Sequence, residues 1–224
     1  LLDSAEVKTR LDDSAYMAKF GLTPETAVCM FIPNTYEVYW TMSADQLFER
    51  MHKEYNRFWN EERLAKAKAQ GLTPVEVTTL ASIVASETNK TAEHPLIASL
   101  YLNRLRKGIA MQACPTVIYA VGDFSMRRVL KRHLAIDSPY NTYKNRGLPP
   151  GPIRLTRPDL LDHVLNAPET DYLNSVKLTF LSWISGSTKV SYERAFPKVS
   201  QSGEICASLI CAGYDKYDND PLGF

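Results

Sequence analysis

The stretch TPVEVTTLASIVASETNK, residues 73–90, constrains this chain most, because it encodes a helix whose buried face carries an acid where an apolar residue belongs. Thr73, Pro74 and Glu76 form a helix start: a threonine cap, proline at the first helical position, and a glutamate that reaches back to the cap amide. The spacing predicts a helix from Pro74 with Val77, Leu80, Ala81, Val84 and Thr88 on one buried stripe. Glu87 falls in that stripe, near the helix's C-terminal end. Desolvation there disfavours the charged carboxylate and raises its pKa, which suits a general acid at neutral pH. The blander alternative is an ion pair at the rim of the stripe, with Lys90 or Arg104 as partner.

At 224 residues the chain suits one large or two small domains. A net charge of +1 gives no electrostatic reason to expect nucleic acid or another polyanion as partner. No run of eighteen apolar residues occurs, so neither a membrane span nor a signal peptide is expected within these residues. The opening LLDSAEVKTR reads as the middle of a chain rather than a natural start, which leaves room for an anchor or export signal ahead of it. Cys29, Cys114, Cys206 and Cys211 form no CxxC or Cys/His cluster. No metal or other cofactor is therefore expected, and a Cys206–Cys211 disulfide is allowed without being indicated.

Patterning divides the chain near Gly71 to Thr73 into a small α+β accessory unit, residues 1–72, and a mixed α/β part, residues 73–224. Residues 4–19 are helical by pattern. Residues 27–40, AVCMFIPNTYEVYW, are rich in β-branched and aromatic side chains and predict a strand broken at Pro33-Asn34. Ser43 opens one long polar helix with Leu47, Met51, Tyr55 and Phe58 as its seam and Gly71 as its end. A helix from Pro95 to Lys107 turns Leu96, Ile97, Leu100, Tyr101 and Leu105 inward, with Asn103 and Arg104 near that face. Those two either form a local hydrogen-bond network or line a cleft shared with Glu87. FSMRRVLKRHL, residues 124–134, predicts an amphipathic basic helix whose His133 is a surface residue. Another helix runs from Pro158 to Ala167, and the segments DYLNSV, LTFLSWI and KVSYER read as strands.

Two further segments carry polar groups suited to sugars. Gln112 and Thr116 sit together in MQACPTVIYAVG, as a sugar-site lining or as simple capping of a helix at Pro115. In DSPYNTYKNRGLPPGPIRL, prolines and glycines stiffen an irregular backbone, as a rigid binding loop requires. There Tyr140, Asn141, Thr142 and Tyr143 place two aromatics and two hydrogen-bonding side chains in four residues.

SIVASETNK, IASLYLNRLRKGIAMQACPTVIYAVGD and SPYNTYKNRGLPPGPI closely resemble, in order and spacing, the motifs of the YceG-like family of endolytic murein transglycosylases; FIPNTYEVYW resembles that family's preceding segment. The resemblance covers roughly residues 22–173. It implies a LysM-like accessory unit before the catalytic domain and a bacterial enzyme on the outer side of the cytoplasmic membrane, held by an N-terminal anchor. Its substrate would be peptidoglycan glycan strands, cut between N-acetylmuramic acid and N-acetylglucosamine to leave 1,6-anhydro ends, with peptidoglycan synthases as partners. The family's catalytic glutamate maps onto Glu87. Its substrate-binding positions map onto Asn103, Arg104, Gln112, Thr116, Tyr119, Asn141, Thr142 and Tyr143, to which the aromatic Tyr140 adds.

Three departures from the family pattern are visible. Ala85 stands where many members carry another glutamate, and it lies off the predicted inner face. Cys114 replaces a common aspartate. After Leu173 the chain ceases to resemble the family. One carboxylate suffices for lytic cleavage, because the sugar's own 6-hydroxyl is the nucleophile, whereas hydrolysis generally needs two. The alternatives are a hydrolase with Asp123 or Asp137 as second carboxylate, and a glycan-binding module without activity.

Overall fold

A computed structural model describes residues 3–39, 41–126 and 128–173. Leu1–Thr170 form one compact unit; of the next, only the irregular residues 171–173 are described. The three strand segments expected at the C-terminal end fall almost wholly outside the described residues, as do Cys206 and Cys211.

Helix α5 (Pro74–Glu87) is the axis of the unit, and its start is set locally. The Thr73 amide donates to Glu76 Oε2 at 2.7 Å while the Glu76 amide donates to Thr73 Oγ1 at 3.3 Å, with Pro74 at the first turn. Every residue from Val77 to Ala85 is buried. A single inner stripe was expected; instead α5 is enclosed, packing on α4 (Glu61–Gln70), α6 (His94–Arg106), α7 (Cys114–Val121) and α9 (Pro158–Leu165). Ala85 therefore does not lie off the inner face, at 8% exposure. Val77, Leu80, Ile83 and Val84 are fully buried, contributing on the order of 6–12 kcal/mol of apolar transfer before chain entropy is charged.

The α+β expectation is corrected: among the described residues no strand occurs. In the segment read as a strand, Ala27–Met30 wind into a 3-10 turn and residues 31–39 run on without a ladder partner among the described residues. The apolar side chains of its first half are satisfied by burial instead, whereas Val38 and Tyr39 are exposed. Ala27 and Met30 join Met17, Leu22 and the α3 (Ala44–Phe58) residues Phe48 and Met51 in a core of their own, and Ile32 enters the α5 core. Pro33 also denies a ladder donor at the middle of the segment. The LysM-like expectation thus finds no sheet among the described residues of 1–72.

The long helix expected after Ser43 is two helices, α3 and α4. Trp59 turns into the core, 4% exposed, and Asn60 restarts the chain by accepting the Arg63 amide at 3.0 Å. Asn60 followed by two glutamates is itself a helix-start signature. Both Trp59 and Ala67 lie in one core cluster with α5, α6 and α9. Arg63 grips Asp162 with two hydrogen bonds, 2.9 and 3.1 Å, tying α4 to α9. The N-terminal hairpin is α1 (Ser4–Asp12) and α2 (Ser14–Ala18). Of the basic helix expected at 124–134, only α8 (Lys131–Leu134) is helical among the described residues. Leu96, expected inward, is 48% exposed. No helix of the described residues is long and apolar enough to cross a membrane.

A candidate active site at the end of the central helix

Glu87 is the last residue of α5, and the chain leaves the helix at Thr88 in extended conformation. This exit is pinned on both sides. The Thr88 carbonyl bonds to His94 Nε2 at 3.1 Å, and its hydroxyl donates to Glu93 Oε2 at 2.8 Å while accepting the Lys90 amide. Lys90 itself pairs with Glu93 at 3.2 Å. Glu87 is half-buried, and the Tyr101 hydroxyl of α6 donates to its Oε1 at 2.9 Å. Burial, followed by the Glu87 charge and hydrogen bond, holds the Tyr101 phenol well above its ordinary pKa; Arg104 and Cys114 also bear on it. Glu87 thus stands in one neighbourhood with α6 and with the start of α7.

Two segments far apart in sequence, 110–116 and 138–143, are latched together beside it. The Ala113 amide donates to Thr142 Oγ1 at 3.0 Å, the Thr142 and Thr116 hydroxyls bond at 2.8 Å, and Thr116 Oγ1 donates to the Ala113 carbonyl at 2.8 Å. Each hydroxyl has one proton, so the three bonds close a ring with a fixed direction: Thr142 must donate to Thr116. The Gln112 amide adds a bond to the Thr142 carbonyl at 3.1 Å. Gln112 holds φ 54, a left-handed backbone costing about 1–2 kcal/mol in a residue with a side chain. Arg104 offsets that strain by donating to the carbonyls of Ala110 and Met111, both at 2.9 Å, and to Gln112 Oε1 at 3.3 Å.

Asn141 is wholly buried and frames the loop. Its amide nitrogen donates to the carbonyls of Leu134 and Ile136, and its oxygen accepts the Tyr143 amide at 3.0 Å. Tyr143 Oη meets Cys114 Sγ at 3.1 Å. Beyond it the loop lies along α5: Ser82 Oγ accepts the Ile153 amide at 3.0 Å, and Arg154 reaches the Ala85 carbonyl at 3.5 Å. Gly151 permits this course, because a Cβ there would stand 2.2 Å from the Glu25 carbonyl oxygen. Tyr119 and Tyr140 pack rings at 4.7 Å, with Phe124 edge-on to Tyr119 and 73% exposed. Burial pushes the Tyr140 phenol up to about 12.

The structure thus sorts the residues singled out in the sequence. Asn103, Arg104, Thr116, Asn141 and Thr142 are buried, whereas Gln112, Tyr119, Tyr140 and Tyr143 keep surface open to a ligand. Asn103 bonds to the Thr170 carbonyl at 2.7 Å, and so ties α6 to the end of the unit. Asp123 is engaged by Ser125, whose hydrogen bonds hold its carboxyl below the ordinary range, and exposed Asp137 stands 3.7 Å from Lys144. Among the described residues no group of three His, Cys, Asp or Glu side chains is placed to hold a metal ion, and Cys29 and Cys114 are free thiols. An open cavity of about 410 Å³ lies elsewhere, lined by Tyr39, Thr41, Met42 and side chains of α3, and none of the singled-out residues lines it. Tyr101 was missed as a site residue. Its place in the apolar seam of α6 signalled burial, and nothing local signalled where its hydroxyl would go.

A family model described as the YceG-like family matches residues 2–180. The chain belongs to the YceG-like family. The match extends well N-terminal of the motif-bearing region and stops within the segment where the family motifs cease. Among curated relatives, the endolytic murein transglycosylase of Bacillus subtilis is 38% identical over 131 residues, 58% of this chain and 36% of that protein. The endolytic murein transglycosylase of Streptococcus pneumoniae is 30% identical over 182 residues, 77% of this chain and 30% of that protein. The chain therefore spans about a third of the length of these relatives. A YceG-like protein crystal structure from Listeria monocytogenes matches with a TM-score of 0.66 at 31% identity, covering 78% of this chain and 62% of that one.

Proposed function

We propose that this YceG-like chain is the catalytic part of an endolytic peptidoglycan lytic transglycosylase. The observation that carries the reading is Glu87 at the tip of the enclosed helix, its carboxylate hydrogen-bonded by Tyr101 beside the latched 110–116 and 138–143 segments. The names of the Bacillus and Streptococcus relatives support the same reaction class.

In this mechanism Glu87, protonated, gives its proton to the glycosidic oxygen between N-acetylmuramic acid and N-acetylglucosamine as the C1–O bond breaks. The leaving sugar departs as a neutral alcohol. The Glu87 carboxylate then takes the proton of the muramic acid 6-hydroxyl as that oxygen closes on C1, so the acid is regenerated and water is not consumed. Gln112, Tyr119, Tyr140 and Tyr143 offer the partly open polar and aromatic surface that orients the sugars. Asn103, Arg104, Thr116, Asn141 and Thr142 serve by holding that surface in place. The remainder of the proposal is an anchored enzyme on the outer side of the bacterial cytoplasmic membrane, acting near peptidoglycan synthases, with residues 1–72 as an accessory region for holding glycan.

The test is digestion of purified peptidoglycan, with products weighed by mass spectrometry. The expected products carry 1,6-anhydro ends, one water lighter than hydrolysed ends. Glu87→Gln should keep the fold and glycan binding and lose about 10²- to 10⁴-fold in turnover. Hydrolysed ends, or a Gln variant as active as the parent, would overturn the reading.

A further inference from the structure

We propose that Tyr101 is a positioning residue for Glu87: its hydroxyl holds the carboxyl in its reactive orientation and stabilises the carboxylate left after transfer. The inference rests on the reading of Glu87 as the acid. Tyr101 is 6% exposed, packed among the core residues of α5 and α6, so its ring cannot swing away without opening the core. From that fixed ring the hydroxyl donates to Glu87 Oε1 at 2.9 Å. With Oε1 accepting from the phenol, the carboxyl is held in a fixed orientation at the end of α5.

The same hydrogen bond is worth more to one protonation state. An O–H donor binds an ionised carboxylate roughly twice as strongly as a neutral acceptor. Tyr101 therefore favours the state that follows proton transfer to the leaving oxygen, and lowers the pKa that Glu87 would have without it. The phenol cannot act as the acid in its place, because burial and the Glu87 charge hold it well above its ordinary value. It remains a donor throughout. Arg104 on α6 and Cys114 on α7 also act on the Tyr101 phenol, Tyr143 lies against the Cys114 thiol, and Arg154 reaches the Ala85 carbonyl two residues before Glu87. His94 and Glu93 fix the turn that follows Glu87.

The decisive experiment is the pH profile of kcat/KM for peptidoglycan cleavage by the full chain, parent against Tyr101→Phe. An acid that must be protonated loses activity as pH rises through its pKa. Removing the donor raises that pKa, so the alkaline limb of the variant should move up by about one pH unit. Turnover at the optimum should fall about 10- to 100-fold through lost orientation. A purely structural tyrosine would lower activity equally at every pH and leave the limb where it is, which would overturn the proposal. Replacing Tyr101 by 3-fluorotyrosine keeps the packing and strengthens the donor, and should move the limb the opposite way. That arm decides the matter even if the Phe variant folds poorly. If Glu87→Gln retains turnover, the underlying reading fails. If the Gln variant is inactive and neither Tyr101 change moves the limb, only this inference fails.

Discussion

Replacing Thr142 by valine isolates the latch that holds the two polar segments together. Valine has nearly the same shape, so no cavity is left and only the hydroxyl is lost. Two bonds go with it: the 3.0 Å acceptor of the Ala113 amide and the 2.8 Å pairing with Thr116. Ala113 is 0% exposed, so its amide cannot turn to water and is stranded. A stranded buried donor costs about 1–3 kcal/mol and the lost hydroxyl pair about 1 more, giving about 2–4 kcal/mol in all. In urea denaturation this should lower the unfolding free energy by that amount without changing the slope, and it should lower Tm by about 5–15 °C. Thr116→Val removes the other end of the ring. In the double variant the hydroxyl pair is lost only once, so the two penalties should fall short of their sum by about 0.5–1.5 kcal/mol. A Thr142→Val protein within about 0.5 kcal/mol of the parent, or strict additivity, would show that the ring does not bear on stability as argued here.

Gly151→Ala sets a methyl 2.2 Å from the Glu25 carbonyl oxygen, a backbone atom that no rotamer change can clear. The loop must lift from the 23–26 turn, so thermal melting should show a loss of about 1–3 kcal/mol or more, and an unchanged Tm would refute the close approach. Arg63→Met removes the forked grip on Asp162, a bond to the Phe58 carbonyl and the guanidinium stacked 4.1 Å over the Phe58 ring. With both side chains partly exposed the cost should be about 1–2 kcal/mol, read by urea denaturation; no measurable change would mean that the pair is fully compensated by water.

The chemistry-bearing segments were legible because their motifs are dense in residues that rarely occur together. The family resemblance placed Gln112, Thr116, Asn141, Thr142 and Tyr143 in one site, and the structure joins those two segments by direct hydrogen bonds. The manner of joining was not legible. Asn141 and Thr142 read as hydrogen-bonding groups for a sugar, yet they are buried and spend those groups on the backbone. A sequence shows that a polar side chain needs partners without showing whether they are water, ligand or a neighbouring strand of chain.

What the chain decides by itself is where the locally capped helices α4 and α5 begin and where α4 ends. Thr73, Pro74 and Glu76 start α5, Asn60 starts α4, and Gly71 closes it at φ 75, because a cap is satisfied by atoms within a few residues of it. Tertiary structure alone decided that α5 is enclosed by four helices, that the segment from Ala27 to Ile32 buries its apolar side chains without a strand, and that the Tyr101 hydroxyl ends on Glu87. Burial and hydrogen-bond partners across 14 or 29 residues depend on which helices pack together, and that is settled by the sum of the cores, not by any local pattern.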